Sequence, residues 1–292
     1  LGILAYLLVM APWFIRNMNA IGTILPTGGF QTAWLRQYDE IFNYPPGVRF
    51  ADFAASGIGS ILSSRLRGIT FGLENLVSVE GLVVLAPLML LGLWRRRADP
   101  LLSGFILYAI GLHLAMALIF PLPGENGGLW HSSAALMPFW MALGVAGLDD
   151  VLAWAARRRR WRLQQAQTVF SSALMAWAIG FSLFIFNGQT AGANAAGGYF
   201  TGLTAYLPPD AVVMINDPSA LYYYTGRSGI RLPTAVPDVI PDLARRFGVN
   251  YVVLDVPGTP APLWDLFSGT NVPPFLTPVY RTSRVVIYKI NS

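Results

Sequence analysis

Long runs of hydrophobic residues, separated by shorter polar and aromatic-rich stretches, make up the first two-thirds of the chain. A helix needs about 20 mostly apolar residues to cross a bilayer. The segments that meet or approach this length are residues 1–15, 77–94, 101–121, 134–155 and 168–187. The first begins inside an apolar run without a methionine, so we interpret it as the end of a longer span. The pattern predicts a polytopic α-helical membrane protein with about five spans in residues 1–187.

Two arginine clusters set the predicted orientation. Residues 95–97 and 157–160 each follow an apolar run, and clusters of this kind lie on the cytoplasmic side of membrane proteins. Alternation then places residues 16–76, 122–133 and 188–292 on the outer face. We therefore expect an integral protein of a bacterial plasma membrane that exposes its long loops and its C-terminal domain outside the cytoplasm.

The first outward loop is too long to be a simple connection, because connections in compact proteins seldom exceed about 12–15 residues without a function or disorder. Its many aromatic residues argue against disorder. Trp34, Tyr38 and Phe42 recur every four residues, which predicts one amphipathic helix over residues 32–42 at the membrane surface. A second such helix is predicted within residues 52–70.

The hydrophobic pattern changes period near the C-terminus. Residues 188–200 are rich in small residues and are predicted to be a linker. Short β-branched runs at 210–217 and 250–256 predict buried strands. The intervening sequence predicts a helix that ends near Gly248, and two further strands close the chain. Residues 201–292 should therefore form a small α/β domain with at least one βαβ unit.

The composition agrees with a membrane protein. Hydrophobic residues make up 54% of the chain and charged residues only 12%, against about 25% in a typical soluble domain. Because there is no cysteine, disulfides and cysteine-ligated metal sites are excluded. The net charge of +5 comes largely from arginines that follow apolar runs, which favours membrane anchoring over nucleic-acid binding.

Several short stretches resemble one family. The segment after the first apolar run carries Pro12, Trp13, Arg16, Asn17, Gly22, Pro26, Gly28, Gly29, Trp34 and Tyr38. Residues 127–140, "GGLWHSSAALMPFW", and the tail stretch "LPPDAVVMINDPSALYYYTGRSGIRLP" also contribute. With these residues the chain resembles the C-terminal half of bacterial GT-C membrane glycosyltransferases, near the glycosyltransferase 39 and aminoarabinose-transferase group.

The resemblance implies a reaction. It is the transfer of a sugar from a polyprenyl-phosphate donor to a lipid, glycan or protein acceptor on the outer face of the membrane. In the family the catalytic carboxylate usually lies on the first outward loop, so the catalytic residue is expected upstream of this sequence. No cofactor is evident, and a divalent metal ion is compatible with the chemistry but not called for by any residue cluster. The alternative is a non-catalytic membrane scaffold or a protein that binds lipid-linked glycans.

A donor phosphate requires cations at the outer interface, because negative charge develops on the leaving group. Arg16 and His131 are the main candidates, and Arg36 is a further one. Arg49, Arg65 and Arg67 also lie on the predicted outer face. An arginine at a helix end is equally typical of a side chain that extends to the interface, and this alternative is favoured for all of these except Arg16. For His131 the alternative to phosphate or sugar binding is an ordinary histidine at the membrane interface.

The remaining candidate residues are those expected to contact the sugar or the acceptor, or to pack within the membrane. Glu125 lies in a glycine-rich outward loop close to His131, which suits an acceptor-side carboxylate, although ordinary turn chemistry explains the same residues. Trp34 and Tyr38 are expected to form part of a wall around the donor. His113 lies within a predicted span and is expected to make a hydrogen bond between packed helices.

Overall fold

The computed structural model describes residues 2–22, 24, 29–44, 47–256 and 258–291. Over these residues the chain is mostly helical and ends in a small five-stranded sheet. It divides into two compact units. The first unit comprises Leu1–Ile41 and Val48–Ala178, and the second comprises Phe42–Gly47 and Ile179–Ser292.

Helices of several kinds form the first unit. The α-helices are α1 (Gly2–Ile21), α2 (Phe50–Ala55), α3 (Ile58–Asn75), α4 (Ala86–Arg96), α5 (Pro100–Leu114), α6 (Pro121–Pro123), α7 (Leu129–Ser133) and α8 (Met137–Arg159). Short 3₁₀ helices cover Phe30–Trp34, Tyr38–Phe42 and Ala134–Leu136. π-Helical turns cover Leu76–Glu80, Ala115–Ile119 and Gly124–Gly128. The long helix α9 (Leu163–Leu203) begins in this unit and continues into the second.

Membrane association is evident from three helical stretches in the described part of the chain. Pro100–Ile119, Pro121–Arg159 and Leu163–Leu203 are each long and apolar enough to cross a bilayer. The most apolar window of the last stretch has none of its residues buried against protein. Exposure of so much apolar surface to water is unfavourable, so helices of this kind typically contact lipid.

The predicted span at 77–94 is wrong as a continuous helix. The chain passes through the π-helical turn Leu76–Glu80, and α4 begins only at Ala86. Between them Leu82 and Val83 have positive φ angles of 44° and 63°, which side chains with a Cβ rarely adopt. The interruption begins at Glu80, whose buried carboxylate is hydrogen-bonded to the side chains of Asn75 and Trp140.

The predicted amphipathic helix over residues 32–42 is also wrong. Two 3₁₀ helices replace it, and Leu35 between them is extended with ψ of 136°. The physical reason is local: the Glu40 carboxylate accepts hydrogen bonds from the backbone N–H of Arg36 at 2.8 Å and from its guanidinium at 2.7 Å. The second predicted helix is present as α2 and α3, separated at Gly57. Pro26 and Gly28 lie outside the described residues.

Glycines bring α4 and α8 into backbone contact. A Cβ added at Gly92 would overlap the backbone oxygen of Leu143, and one added at Gly147 would overlap that of Leu88. Small residues permit this close approach between helices in membranes. At the polar ends of the two helices, Asp150 accepts a hydrogen bond from Arg96 at 2.8 Å.

The second unit is built around the sheet. Its strands are β1 (Val213–Ile215), β2 (Gly229–Arg231), β3 (Tyr251–Asp255), β4 (Leu276–Arg281) and β5 (Val285–Ile290), in the order β2-β1-β3-β5-β4. β1 runs parallel to β2 and β3, whereas β5 is antiparallel to β3 and β4. Its helices after α9 are α10 (Pro218–Thr225), α11 (Ile240–Phe247) and α12 (Trp264–Ser268).

The predicted strands and the βαβ unit of this domain are confirmed. β1 and β3 lie inside the two β-branched runs, and their side chains are buried on both faces of the sheet. The predicted helix is present as α11, and Gly248 ends it with a φ of 70°. The residues expected to form a linker instead continue α9 as a helix.

Candidate functional site

A groove with a volume of about 620 Å³ runs along one face of α3. Ligand pockets usually have volumes of about 300–1,000 Å³, so its size suits a ligand. Most of its lining residues recur at spacings of three and four along α3 and therefore share one face of the helix. The lining residues are Gly59, Leu62, Ser63, Leu66, Arg67, Thr70, Phe71 and Glu74 from α3, together with Glu125.

The lining of this groove, the α3 groove, is amphiphilic. Leu62 and Leu66 are more than half exposed, at 56% and 54%, although both are large apolar residues. Arg67 and Glu74 are also exposed on the same face, so the groove offers apolar surface beside charged groups. Exposed apolar side chains beside charged ones are suited to a ligand with a hydrocarbon part and a polar part.

Glu125 is held by an irregular turn. The π-helical turn Gly124–Gly128 contains non-helical backbone at Asn126 and at Gly127, whose φ is 104°. A Cβ at Gly128 would lie 2.7 Å from the backbone oxygen of Pro123, so a larger residue would not fit. The tight turn places the Oε1 atom of Glu125 in a buried position without a hydrogen-bond partner among the described residues. A buried carboxylate oxygen without a partner is unfavourable and indicates a place for a donor from a ligand.

His131 flanks the α3 groove without lining it. The histidine is exposed on α7, and its imidazole ring lies 3.8 Å from where a Cβ on Gly127 would be. The preceding residue, Trp130, contacts the groove residue Phe71 with a ring-centroid separation of 6.1 Å. The structure thus brings Glu125, His131 and Arg67 into one neighbourhood.

Four predicted site residues lie elsewhere in the described structure. The Arg36 guanidinium forms an ion pair with Glu40 at 2.6 Å. Trp34 packs against Phe50, with ring centroids 4.8 Å apart, and Tyr38 is half-buried in the second 3₁₀ helix. Arg16 is exposed on α1. These four residues are absent from the lining of the α3 groove.

A second polar group surrounds Glu80. This glutamate is fully buried, and its carboxylate accepts hydrogen bonds from Asn75 Nδ2 at 2.8 Å and from Trp140 Nε1 at 2.6 Å. The Nε2 atom of His113 lies 3.1 Å from the same carboxylate, while its Nδ1 bonds to the backbone oxygen of Ala109 at 2.9 Å. His113 thus joins two packed segments, as expected from the sequence.

The Glu80 group borders an apolar cavity of about 290 Å³. His113 and Trp140 belong to its wall, together with apolar residues of α3, α4 and α5. Glu80 therefore fixes the orientation of the imidazole and indole rings that face this cavity. Its own carboxylate oxygens are already engaged, so the group orients neighbouring side chains rather than offering a free carboxylate to a ligand.

The described residues hold no group of three or more His, Cys, Asp or Glu side chains that could bind a metal ion. The two glutamates of the α3 groove are accompanied there by Arg67, a cation. What the groove offers is therefore hydrogen bonding and charge: one guanidinium, two carboxylates and the hydroxyls of Ser63 and Thr70.

The chain was compared with protein-family models, with curated proteins and with solved structures. None of them matches it. The resemblance to GT-C glycosyltransferases therefore rests on short stretches of sequence.

Sequence-based prediction misses two parts of this region. Arg67 is predicted only as one of several arginines on the outer face. Ser63, Thr70 and Glu74 are missed, although they form with Arg67 a polar stripe at helical spacing along α3, which is a detectable signal. Glu80 is a lone carboxylate within an apolar run, and ionisable residues in such runs usually indicate a specific polar partner.

Proposed function

We propose that this chain is part of a membrane glycosyltransferase, and that the α3 groove binds a polyprenyl-phosphate sugar donor at the outer face of a bacterial plasma membrane. The observation that carries the proposal is the lining of the groove. It combines exposed leucines, a cation and a carboxylate with a buried oxygen that lacks a hydrogen-bond partner among the described residues. A lipid-linked sugar phosphate needs each of these three features.

Each part of the donor has a counterpart in the groove. The isoprenoid chain would lie against Leu62 and Leu66, where burial of apolar surface favours binding by about 25 cal/mol per Å². The planar guanidinium of Arg67 would bind two phosphate oxygens at once. The Oε1 atom of Glu125 would accept a hydrogen bond from a sugar hydroxyl, which supplies the partner that this buried atom lacks.

The reaction itself is a displacement at the anomeric carbon. An acceptor hydroxyl attacks that carbon, its proton passes to a general base, and the bond between the sugar and the phosphate oxygen breaks. Arg67 and His131 would stabilise the negative charge that develops on the departing polyprenyl phosphate. In line with the family resemblance, the general base would be a carboxylate upstream of this sequence.

Binding of undecaprenyl phosphate to the chain in lipid nanodiscs tests the donor assignment. The probe is titrated while tryptophan fluorescence is recorded, since Trp130 contacts the groove residue Phe71. We expect Arg67→Ala to weaken binding at least about tenfold, because a charge-assisted hydrogen bond contributes about 1.5–3 kcal/mol. Octyl phosphate, which has the same head group with a short chain, should bind much more weakly.

Arg65→Ala is the matched control. It removes the same charge from the same helix, but Arg65 contacts the Phe53 ring at 4.9 Å and does not line the groove. We expect the affinity of the Arg65→Ala variant for undecaprenyl phosphate to equal that of the unchanged chain. Equal affinities of the Arg67→Ala and Arg65→Ala variants, or equal affinities for the long and short phosphates, would refute the proposal.

A further inference from the structure

Three polar side chains meet at one edge of the sheet in the second unit. Asn216 directly follows β1, Arg231 ends β2 and Asp255 ends β3. Because these strands are parallel, their carboxyl ends lie at the same edge. The connection from β1 leads to β2 on one side of it, and the chain then crosses back to β3 on the other side of β1. This reversal makes a topological switch point between β1 and β3. Open α/β sheets bind ligands in the crevice at such points.

Each of the three side chains has a buried polar atom without a hydrogen-bond partner among the described residues. These atoms are Asn216 Oδ1, Arg231 Nε and Asp255 Oδ1. Buried polar groups in folded proteins are nearly always paired, so three unpaired atoms in one place indicate a missing partner. We refer to the three residues as the edge cluster.

The rest of the edge cluster is held in place by the protein. The Oδ2 atom of Asp255 accepts a hydrogen bond from the Tyr199 hydroxyl at 2.9 Å. The Arg231 guanidinium donates to the backbone oxygen of Asn216 and lies over the Phe42 ring, 4.3 Å from its centroid. These contacts hold the side chains of Asp255 and Arg231, while Asn216 Oδ1, Arg231 Nε and Asp255 Oδ1 stay without a partner among the described residues.

The members of the edge cluster are close together. A Cβ added at Gly258 would overlap both Asn216 Nδ2 and Asp255 Oδ1, so these two side chains approach the same point. Burial raises the pKa of the Asp255 carboxyl, against the opposing effects of the Tyr199 hydroxyl, the Gly258 N–H and the charge of Arg231. As whole residues the three are half-buried, and other parts of each side chain or backbone reach the surface.

We propose that the edge cluster binds a saccharide through neighbouring hydroxyl groups. One hydroxyl would donate to Asp255 Oδ1 and another to Asn216 Oδ1, and a hydroxyl oxygen would accept from the Arg231 Nε–H. A sugar hydroxyl donates and accepts at the same time, so a pair of them satisfies two acceptors and one donor. The proposal rests on the second unit alone and does not depend on the α3 groove.

Other ligand classes match the edge cluster less well. A metal ion would be repelled by the Arg231 guanidinium, whose charge acts on Asp255. An anion would meet the Asp255 carboxylate and the Asn216 oxygen, which are both acceptors. A neutral molecule with several hydroxyls is the class whose donors and acceptors fit all three atoms.

Saturation-transfer NMR on the complete chain in nanodiscs tests this inference. The probes are the methyl glycosides of glucose, galactose, mannose, arabinose and N-acetylglucosamine. We expect saturation transfer to the ring protons of at least one of them. Asp255→Asn should weaken this binding about tenfold, because it removes a hydrogen bond to a charged group. Gly258→Ala should abolish it, because the added methyl group displaces both Asn216 and Asp255.

Two controls make the result decisive. Gly202→Ala adds the same methyl group at a helical position with no atom within 4 Å, and it should leave binding unchanged. Asp210→Asn makes the same change as Asp255→Asn at an exposed carboxylate that precedes β1, at the opposite edge of the sheet, and it should also leave binding unchanged. Absence of saturation transfer from the unchanged chain to all five probes would overturn the inference. So would a signal that survives Asp255→Asn and Gly258→Ala, or one that is lost in Asp210→Asn.

Discussion

Glu80 shows how a single residue determines the backbone around it. Its carboxylate accepts hydrogen bonds from Asn75 and Trp140, and His113 Nε2 lies 3.1 Å from it. The three side chains come from three different helices. A charged side chain inside an apolar bundle is unfavourable unless donors surround it. Here such donors are present. After Glu80 the backbone leaves the helical conformation, with positive φ angles at Leu82 and Val83 that do not occur in a regular helix.

Replacement of Glu80 should destabilise the first unit in proportion to the acceptors that are lost. Glu80→Gln turns one acceptor oxygen into a donor, and we expect a loss of about 1–3 kcal/mol in the free energy of unfolding. Glu80→Ala leaves the Asn75 and Trp140 donors without an acceptor and should cost about 3–5 kcal/mol. Trp140→Phe removes one bond and should cost only about 0.6 kcal/mol, a typical value for hydrogen bonds between membrane helices.

The measurement is unfolding in mixed detergent micelles with increasing sodium dodecyl sulfate. Glu74→Gln is the control, because Glu74 lies six residues earlier and is exposed. It should unfold at the same detergent fraction as the unchanged chain. If Glu80→Gln is as stable as Glu74→Gln, the hydrogen bonds to Glu80 do not contribute to folding.

Individual site residues can be predicted from the sequence only where the local pattern carries the signal. The glycines around Glu125 indicate a turn, and the structure indeed places Glu125 in an irregular one. Arg67 has the sequence context of an ordinary interfacial arginine, because the sequence does not show which face of α3 borders a groove. The edge cluster is formed by residues at or just beyond the ends of three strands, and its assembly depends on a strand order that the sequence pattern does not specify.

At the scale of elements, the strands are easier to predict than the helices of the outward loop. β1 and β3 are short runs of β-branched and apolar residues, and their burial on both faces explains that pattern. The segment 32–42 has helical spacing of its aromatic residues, but the Arg36–Glu40 ion pair and the extended Leu35 divide it into two 3₁₀ helices. Hydrogen bonds between side chains and the backbone compete with helix formation, and the spacing of aromatic residues along the sequence does not reveal them.

The contact between α4 and α8 is expected to depend on Gly147. Gly147→Ala places a methyl group on the backbone oxygen of Leu88, so the two helices must separate. We expect a loss of about 1–3 kcal/mol in the free energy of unfolding, as for other overpacked sites. The same detergent titration measures it.

Gly111→Ala in α5 provides the matched control, because a Cβ at Gly111 has no atom within 4 Å. Alanine is favoured over glycine inside a helix by about 0.5–1 kcal/mol, so this variant should be as stable as the unchanged chain or slightly more stable. Equal effects of the two substitutions would show that the close approach of α4 and α8 does not matter for stability.

For the whole molecule, the helices that can cross the membrane constrain which segments share a side. Three candidate spans lie between residue 98 and the C-terminal sheet: Pro100–Ile119, Pro121–Arg159 and Leu163–Leu203. If all three cross the membrane, the number of crossings is odd and the two ends must lie on opposite sides. The arginines at 95–97 then favour the cytoplasm for residue 98, and we predict on this basis that the sheet lies outside.

Single cysteines can test this arrangement cleanly, because the chain contains no cysteine of its own. Ala98 and Asn271 are both exposed, so Ala98→Cys and Asn271→Cys should react with a maleimide whenever the reagent reaches them. With a membrane-impermeant maleimide on intact cells, we expect labelling of Asn271→Cys only, and labelling of Ala98→Cys after permeabilisation. The cysteine-free chain controls for background. Labelling of both variants in intact cells would contradict the odd number of crossings. The reverse pattern would keep that number and overturn the predicted orientation, in which the sheet and its edge cluster lie outside the cytoplasm.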